Sequence, residues 1–150
     1  TNQHQVNECT IVELNSGELL LNMRNYTDDR LRKLAVSQDQ GITWSDIYSH
    51  ENLIEPICQA SMINIKRPLK KDLLAFSNPN SKKSREKMTI QFSFNNSKTW
   101  SKKILIHEGP SAYSNLIQLN RSEIACLFEG GDNSPYEGIA YKKINLRTIK

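Results

Sequence analysis

Residues 37–44, Ser-Gln-Asp-Gln-Gly-Ile-Thr-Trp, constrain this chain more than any other stretch. An apolar run containing Leu34 and Val36 leads into them and Ile47 follows, so the octet reads as a tight turn between strands. Gly41 supplies the positive φ that a short β-turn requires. Ser37 and Asp39 are side chains that fold back onto loop amides, as ST and Asx turns do. Thr43 is a β-former, and Trp44 is placed to plug the space beneath the loop. The result is a rigid corner with no chemistry of its own. The same spacing returns at 93–100, Ser-Phe-Asn-Asn-Ser-Lys-Thr-Trp, where Asn95 stands for Asp and Ser97 for Gly. A corner used twice predicts a repeated sheet unit.

The rest of the chain fits that prediction. Strands are expected at 9–14, 19–24, 32–37, 57–65, 73–76, 87–94, 103–106, 112–119, 123–128 and 138–144. Within 87–94 the residues Met88, Ile90, Phe92 and Phe94 fall on one face. Asn15 to Glu18 is a hairpin turn, Lys66 to Lys71 a basic turn around Pro68, and Gly130 to Glu137 a loop. Pro79 ends the strand before it, because it cannot continue a ladder. Residues 1–7 are polar and expected to be irregular. No segment keeps a helical period, so the fold class is all-β, about three groups of roughly four antiparallel strands. Three such groups cannot close a ring, and an open half-ring leaves a long sheet edge exposed. A longer natural protein is therefore expected, with 1–150 as one part of one domain.

Charge and cysteines exclude several functions. The balance of 20 basic to 16 acidic residues gives a mild +4. The lysine-rich stretches lack the interleaved aromatics that nucleic-acid binding uses, and no apolar run is long enough to span a membrane. Cys9, Cys58 and Cys126 lie far apart, form no CxxC pair and join no histidine cluster. Each lies in an expected apolar strand, which predicts small buried hydrophobes and no metal site.

Taken as a set and in this order, Asn7-Glu8-Cys9, Leu21-Asn22-Met23-Arg24-Asn25, Ser77-Asn78-Pro79 with Arg85, and Gly109 to Leu116 resemble the C-terminal half of the catalytic domain of exo-α-sialidases of the bacterial and animal type. The two corners resemble that family's Asp boxes (BNR repeats), the first formed by Ser37, Asp39, Gly41, Thr43 and Trp44. The resemblance runs from about Glu8 to about Ile144. It implies a six-bladed β-propeller of which this chain supplies about three blades. It also implies a retaining glycoside hydrolase that removes terminal sialic acid from glycoconjugates without metal or organic cofactor. Tyr113 matches the nucleophile and Glu8 the carboxylate that takes its proton. Arg24 and Arg85 match two of three arginines that grip the substrate carboxylate, and Glu129 the acid that orients the third. The partners implied are sialylated glycans and the N-terminal half of the same propeller. A secreted, periplasmic or cell-surface location is favoured by the resemblance alone. The family's Asp acid/base and first arginine belong to earlier blades, and no stretch before Glu8 can hold them, so the chain alone is expected to be inactive.

The chemistry asks for these residue types in its own right. Sialic acid carries a carboxylate on its anomeric carbon, so a carboxylate nucleophile would approach with like charge, whereas a neutral phenol does not. A phenol with a pKa of about 10 needs a base within reach. Guanidinium forks hold a planar carboxylate bidentately, as lysine cannot. Alone, Tyr113 reads as a core tyrosine, Arg24, Arg85 and Glu8 as solvated surface, and Glu129 as a turn residue. Gln59, Asn78 and Tyr136 are further candidates to line a site. Two other functions compete: a non-catalytic Asp-box module that binds sialoglycans or a protein, and a scaffold whose charged residues never meet.

Overall fold

The computed structural model describes residues 5–67 and 73–149. Ten strands fill it: β1 Val6–Glu13, β2 Leu19–Asn25, β3 Leu31–Ser37, β4 Tyr48–Ile54, β5 Ser61–Ile65, β6 Leu73–Pro79, β7 Glu86–Ser93, β8 Lys102–Asn120, β9 Glu123–Gly130 and β10 Gly138–Asn145. A single 3₁₀ turn, Leu146–Thr148, follows them. Strands β1–β4 form one antiparallel meander in chain order, and β5–β10 a second. Strand β8 divides the second meander. Its first half pairs with β7 from Lys102 to Pro110, and its second half pairs with β9 from Ser111 to Asn120. Three blade-like units result.

Two apolar layers separate these units. Leu20, Leu34 and Leu53 of the first unit meet Met62, Leu74, Phe76 and Trp100 of the second. On the opposite face of the second unit, Met88, Ile90 and Phe92 meet Leu116, Ile124, Phe128 and Ile144 of the third. The expected alternation along 87–94 therefore holds, with Phe94 packed at the rim. Losing such a fully buried side chain to alanine costs about 3–5 kcal/mol for a phenylalanine. The first strands of the three units stand side by side. Asn64 Nδ2 donates to the Glu13 carbonyl at 2.6 Å, and the Leu116 N–H donates to Ser61 Oγ at 3.0 Å.

Both corners form as their sequences predict. In the first, the Gly41 N–H donates to Ser37 Oγ at 2.8 Å. The Thr43 N–H and Oγ1 donate to Asp39 at 2.8 and 2.6 Å, which holds that carboxyl at about pKa 2. In the second, the Ser97 N–H donates to Ser93 Oγ at 2.9 Å and the Thr99 N–H to Asn95 Oδ1 at 2.9 Å. Gly41 has φ +92° and Ser97 φ +66°, so the serine adopts the left-handed turn that glycine enters freely. Ser97 gives something back: its Oγ accepts the Trp100 Nε1–H at 3.2 Å, where Trp44 must use the Gly41 carbonyl.

Several local expectations fail. Trp44 plugs its loop only in part: its ring lies against Gly41 but stays 38% exposed, and Trp100 is the buried one. Strand β1 begins at Val6, inside the stretch expected to be irregular. Strand β4, Tyr-Ser-His-Glu-Asn-Leu-Ile, is too polar to announce itself. Residues 57–60 are not strand, because Ile57 turns to φ +57°. The strands expected at 103–106 and 112–119 are one. Cys9 is exposed in β1, and Cys58 is buried in a connector, so only Cys126 is a buried strand cysteine. Of the basic turn expected at Lys66 to Lys71, residues 68–71 lie outside the described residues.

The corner can be tested at Gly41. A Cβ there would meet Leu19 and Trp44 at 3.7 Å, ordinary contact, so only the backbone conformation opposes it. Gly41→Ala is expected to destabilise the chain by about 1–2 kcal/mol in denaturant titration. Gly138→Ala, whose Cβ meets nothing within 4 Å, is the control, expected within about 0.5 kcal/mol of wild type. Equal effects at the two positions would dispose of the argument.

Candidate active site

Two β-bulges at one end of the sheets aim the reactive side chains. Between Asn7 and Thr10, β1 spends one residue more than β2, and Glu8 sits in that bulge at φ +39°. Between Ser111 and Ser114, β8 spends one residue more than β9, and Tyr113 sits in that bulge. A bulge breaks strict alternation and re-aims a side chain. Here the two residues, 105 apart in sequence, meet: the Tyr113 hydroxyl donates to Glu8 Oε1. Glu8 Oε2 takes Arg24 Nη1 in an ion pair at 2.5 Å, and Arg24 Nη1 also reaches the Tyr113 oxygen at 3.3 Å. Arg24 projects from β2 over the Tyr26 ring, 4.7 Å from its centroid.

Arg85 approaches from the loop between β6 and β7. Its Cζ lies 5.9 Å from the centre of the Tyr113 ring. Its Nη2 donates to the Ile57 carbonyl at 2.9 Å and its Nη1 to the Tyr136 hydroxyl at 2.6 Å. Glu129 accepts the Tyr113 backbone N–H at 3.0 Å. Glu8, Tyr113, Arg24 and Arg85 are thus brought together, and the scaffold reading, which needed them apart, fails. Of the further candidates, Gln59 and Tyr136 touch this cluster, whereas Asn78 donates to the Ile54 carbonyl beside it.

Sequence spacing did not assign Gln59 a task. Its amide accepts the Ser114 N–H at 2.9 Å and donates to the Ser114 carbonyl at 3.1 Å, pairing with backbone as a strand would. Ser114 Oγ also meets Ser77 Oγ at 2.8 Å. Tyr113 is therefore fixed on both sides, and it borders a shallow hollow of about 280 Å³ lined by Gln59, Asn115, Leu127, Glu129 and Ile139.

The charges reinforce one another. Burial works to raise the Glu8 pKa, but the hydrogen bonds from Tyr113 and Arg24 and the charges of Arg24 and Arg85 outweigh it and leave Glu8 below the ordinary carboxylate range. The bond to Glu8, with burial, raises the Tyr113 phenol above its usual value. Burial opposes the Arg24 charge, yet Glu8 raises its pKa overall. The resting arrangement is an ionised Glu8, a neutral phenol and two guanidinium groups.

Stacked antiparallel sheets whose outer turns repeat one serine-to-threonine lock, with Asp39 and Gly41 in the first copy and Asn95 and Ser97 in the second, define an Asp-box β-propeller architecture. Known proteins make the class specific. A family model, the BNR repeat-like domain, matches residues 1–126. A sialidase of Bacteroides fragilis is 37% identical over 149 residues, covering 95% of this chain and 26% of that protein. A sialidase of Micromonospora viridifaciens is 32% identical over 146 residues, covering 94% and 22%. Among solved structures, a Hadza microbial sialidase superposes with TM-score 0.82 at 33% identity, over 95% of this chain and 28% of that one. The chain belongs to the sialidase family. It spans about a quarter of the length of these two sialidases.

The electrostatics predict a spectroscopic result on this chain. Removing the negative charge with Glu8→Gln is expected to lower the Tyr113 pKa, because Glu8 is the largest influence raising it. Tyrosinate absorbance during an alkaline titration, taken as the difference from Tyr113→Phe, reads that one phenol. An unchanged or higher midpoint would contradict the geometry.

Proposed function

We propose that this chain supplies the nucleophile half of an exo-α-sialidase site. The observation that carries the reading is the meeting of Tyr113, Glu8 and Arg24 through direct hydrogen bonds. Arg85 lies against the same ring, in a chain of the sialidase family.

In the proposed reaction the substrate carboxylate rests on the Arg24 and Arg85 forks. Glu8 takes the phenolic proton as Tyr113 Oη attacks the anomeric carbon. The bond to the aglycone breaks, and the leaving oxygen takes a proton from a general acid on a preceding blade. Water, giving its proton to that same acid now acting as base, then attacks the anomeric carbon of the tyrosyl glycoside; the bond to Tyr113 Oη breaks, Glu8 returns its proton to the phenolate, and sialic acid leaves with retained configuration. The acid and a third arginine would come from the preceding blades, and Glu129, beside Tyr113, would orient that arginine. Terminal sialosides of glycoconjugates are the substrates.

Tyr113→Phe in the protein that carries this chain with its preceding blades is expected to lower kcat on a fluorogenic sialoside by at least about a hundredfold, with sialoside binding retained. Unaltered turnover would sink the nucleophile assignment, and glycan binding by a wild type without turnover would favour the non-catalytic module. The 150-residue chain alone is expected to release no fluorophore from the same reporter; measurable release would show that the site needs no further blade.

A further inference from the structure

Beneath the site lies an ion pair that the reaction does not use. Arg32 of β3 and Glu55, just after β4, have no solvent exposure, and Arg32 Nη1 donates to Glu55 Oε2 at 2.8 Å. Its surroundings belong to the apolar layer between the first two units: the guanidinium lies 5.8 Å from the Phe76 ring centre. A buried pair gains little stability over apolar residues of the same volume, because both charges must be stripped of water. Stability alone is therefore a poor reason for it to be there.

Its hydrogen bonds show what it holds. Arg32 Nε donates to Asn22 Oδ1 at 2.6 Å, and Nη1 donates to the Cys58 carbonyl at 2.8 Å. Glu55 accepts the Asn25 N–H at 2.5 Å and the Cys58 N–H at 3.5 Å. Asn22 and Asn25 flank Arg24 on β2. Glu55 and Cys58 flank Ile57, a β-branched residue held at φ +57° whose carbonyl accepts Arg85 Nη2. Gln59, one residue beyond Cys58, clamps Ser114 next to Tyr113. One pair thus touches the supports of three site residues that come from three different units.

We propose that Arg32 and Glu55 are positioning residues: through the 55–59 connector they fix Arg85 and Tyr113 relative to Arg24. The inference rests on the sialidase reading above. It explains why a β-branched residue is kept in a left-handed conformation there, since an extended Ile57 would turn its carbonyl away from Arg85.

The test uses the protein carrying this chain with its preceding blades. Single charge deletions leave the other charge buried and alone, and would unfold the protein for uninformative reasons. The double variant Arg32→Met/Glu55→Leu removes both charges at similar volume. It is expected to stay folded by circular dichroism while kcat/KM on a fluorogenic sialoside falls about a hundredfold, with KM raised because both carboxylate forks drift. Gln59→Ala, which releases only Ser114, is expected to lower kcat about tenfold with KM near wild type. If the double variant does not fold, Gln59→Ala and Glu55→Asp, which keeps both charges but shortens the reach, decide by the same split. Variants that match wild type in both constants overturn the positioning role. A wild type that does not turn over the sialoside overturns the sialidase reading itself, and this inference with it.

Discussion

Strand β6 is buried along its whole length, Leu73 to Pro79, and the rest of the structure follows from that constraint. A strand covered on both faces needs a sheet on either side. Leu74 and Phe76 face the first unit, while Leu73 and Ala75 face the third. The middle unit is consequently the filling of a sandwich, and the first strands of the three units are forced into a row. Loops and bulges at one end of that row are then close in space however far apart they are in sequence. Glu8, on the first unit, and Tyr113, on the third, meet only because the unit between them is thin enough and rigid enough to set their separation.

What could be read without coordinates divides along physical lines. The Asp boxes were legible because each is a local device: every hydrogen bond of the lock lies within an eight-residue window, so spacing determines geometry. The core face of β7 was legible because its side chains alternate. The bulges at Glu8 and Tyr113 were not, because one extra residue leaves no trace in composition and is visible only in the register of the partner strand. Strand β4 was missed because Ser49 and Glu51 are exposed and, of its two buried side chains, His50 and Leu53, only Leu53 is apolar. The connector at 57–60 was misread for the opposite reason: Ile57, Cys58 and Ala60 read as the start of the apolar strand that follows, yet the chain is turned there by bonds of Cys58 with Arg32 and Glu55, 26 and 3 residues away, and of Ile57 with Arg85, 28 residues away.

The two corners show how much sequence drift the lock tolerates. Replacing Asp39 by its counterpart Asn95 keeps the acceptor for the threonine N–H and turns the second oxygen into a donor, so Asn95 Nδ2 donates to Thr99 Oγ1 at 2.9 Å where Thr43 Oγ1 donates to Asp39. The hydroxyl, donor and acceptor at once, accommodates either. Replacing Gly41 by its counterpart Ser97 incurs a left-handed φ but gains an acceptor for Trp100. The buried tryptophan belongs to the corner with the departed residues, which argues that packing of the ring against Phe76, with centroids 5.9 Å apart, holds that corner as firmly as its hydrogen bonds do.

At the site the same charges that keep the phenol protonated at rest also prepare its release. Glu8 raises the Tyr113 pKa, which on its own would make a poor nucleophile. Arg24 is bonded to both groups, so its position decides the balance between them. In the proposed reaction a substrate carboxylate draws on the same guanidinium. Arg24 reaches Glu8 through Nη1, and an anion drawn to the same guanidinium offsets part of the charge that lowers Glu8, so the carboxylate gains proton affinity. Substrate binding would then strengthen the base at the moment the phenol must give up its proton. That coupling needs Arg24 held within reach of Glu8 and of the anion together, and a strand held from behind by the bonds of Asn22 and Asn25 to the buried Arg32–Glu55 pair is built to keep it there.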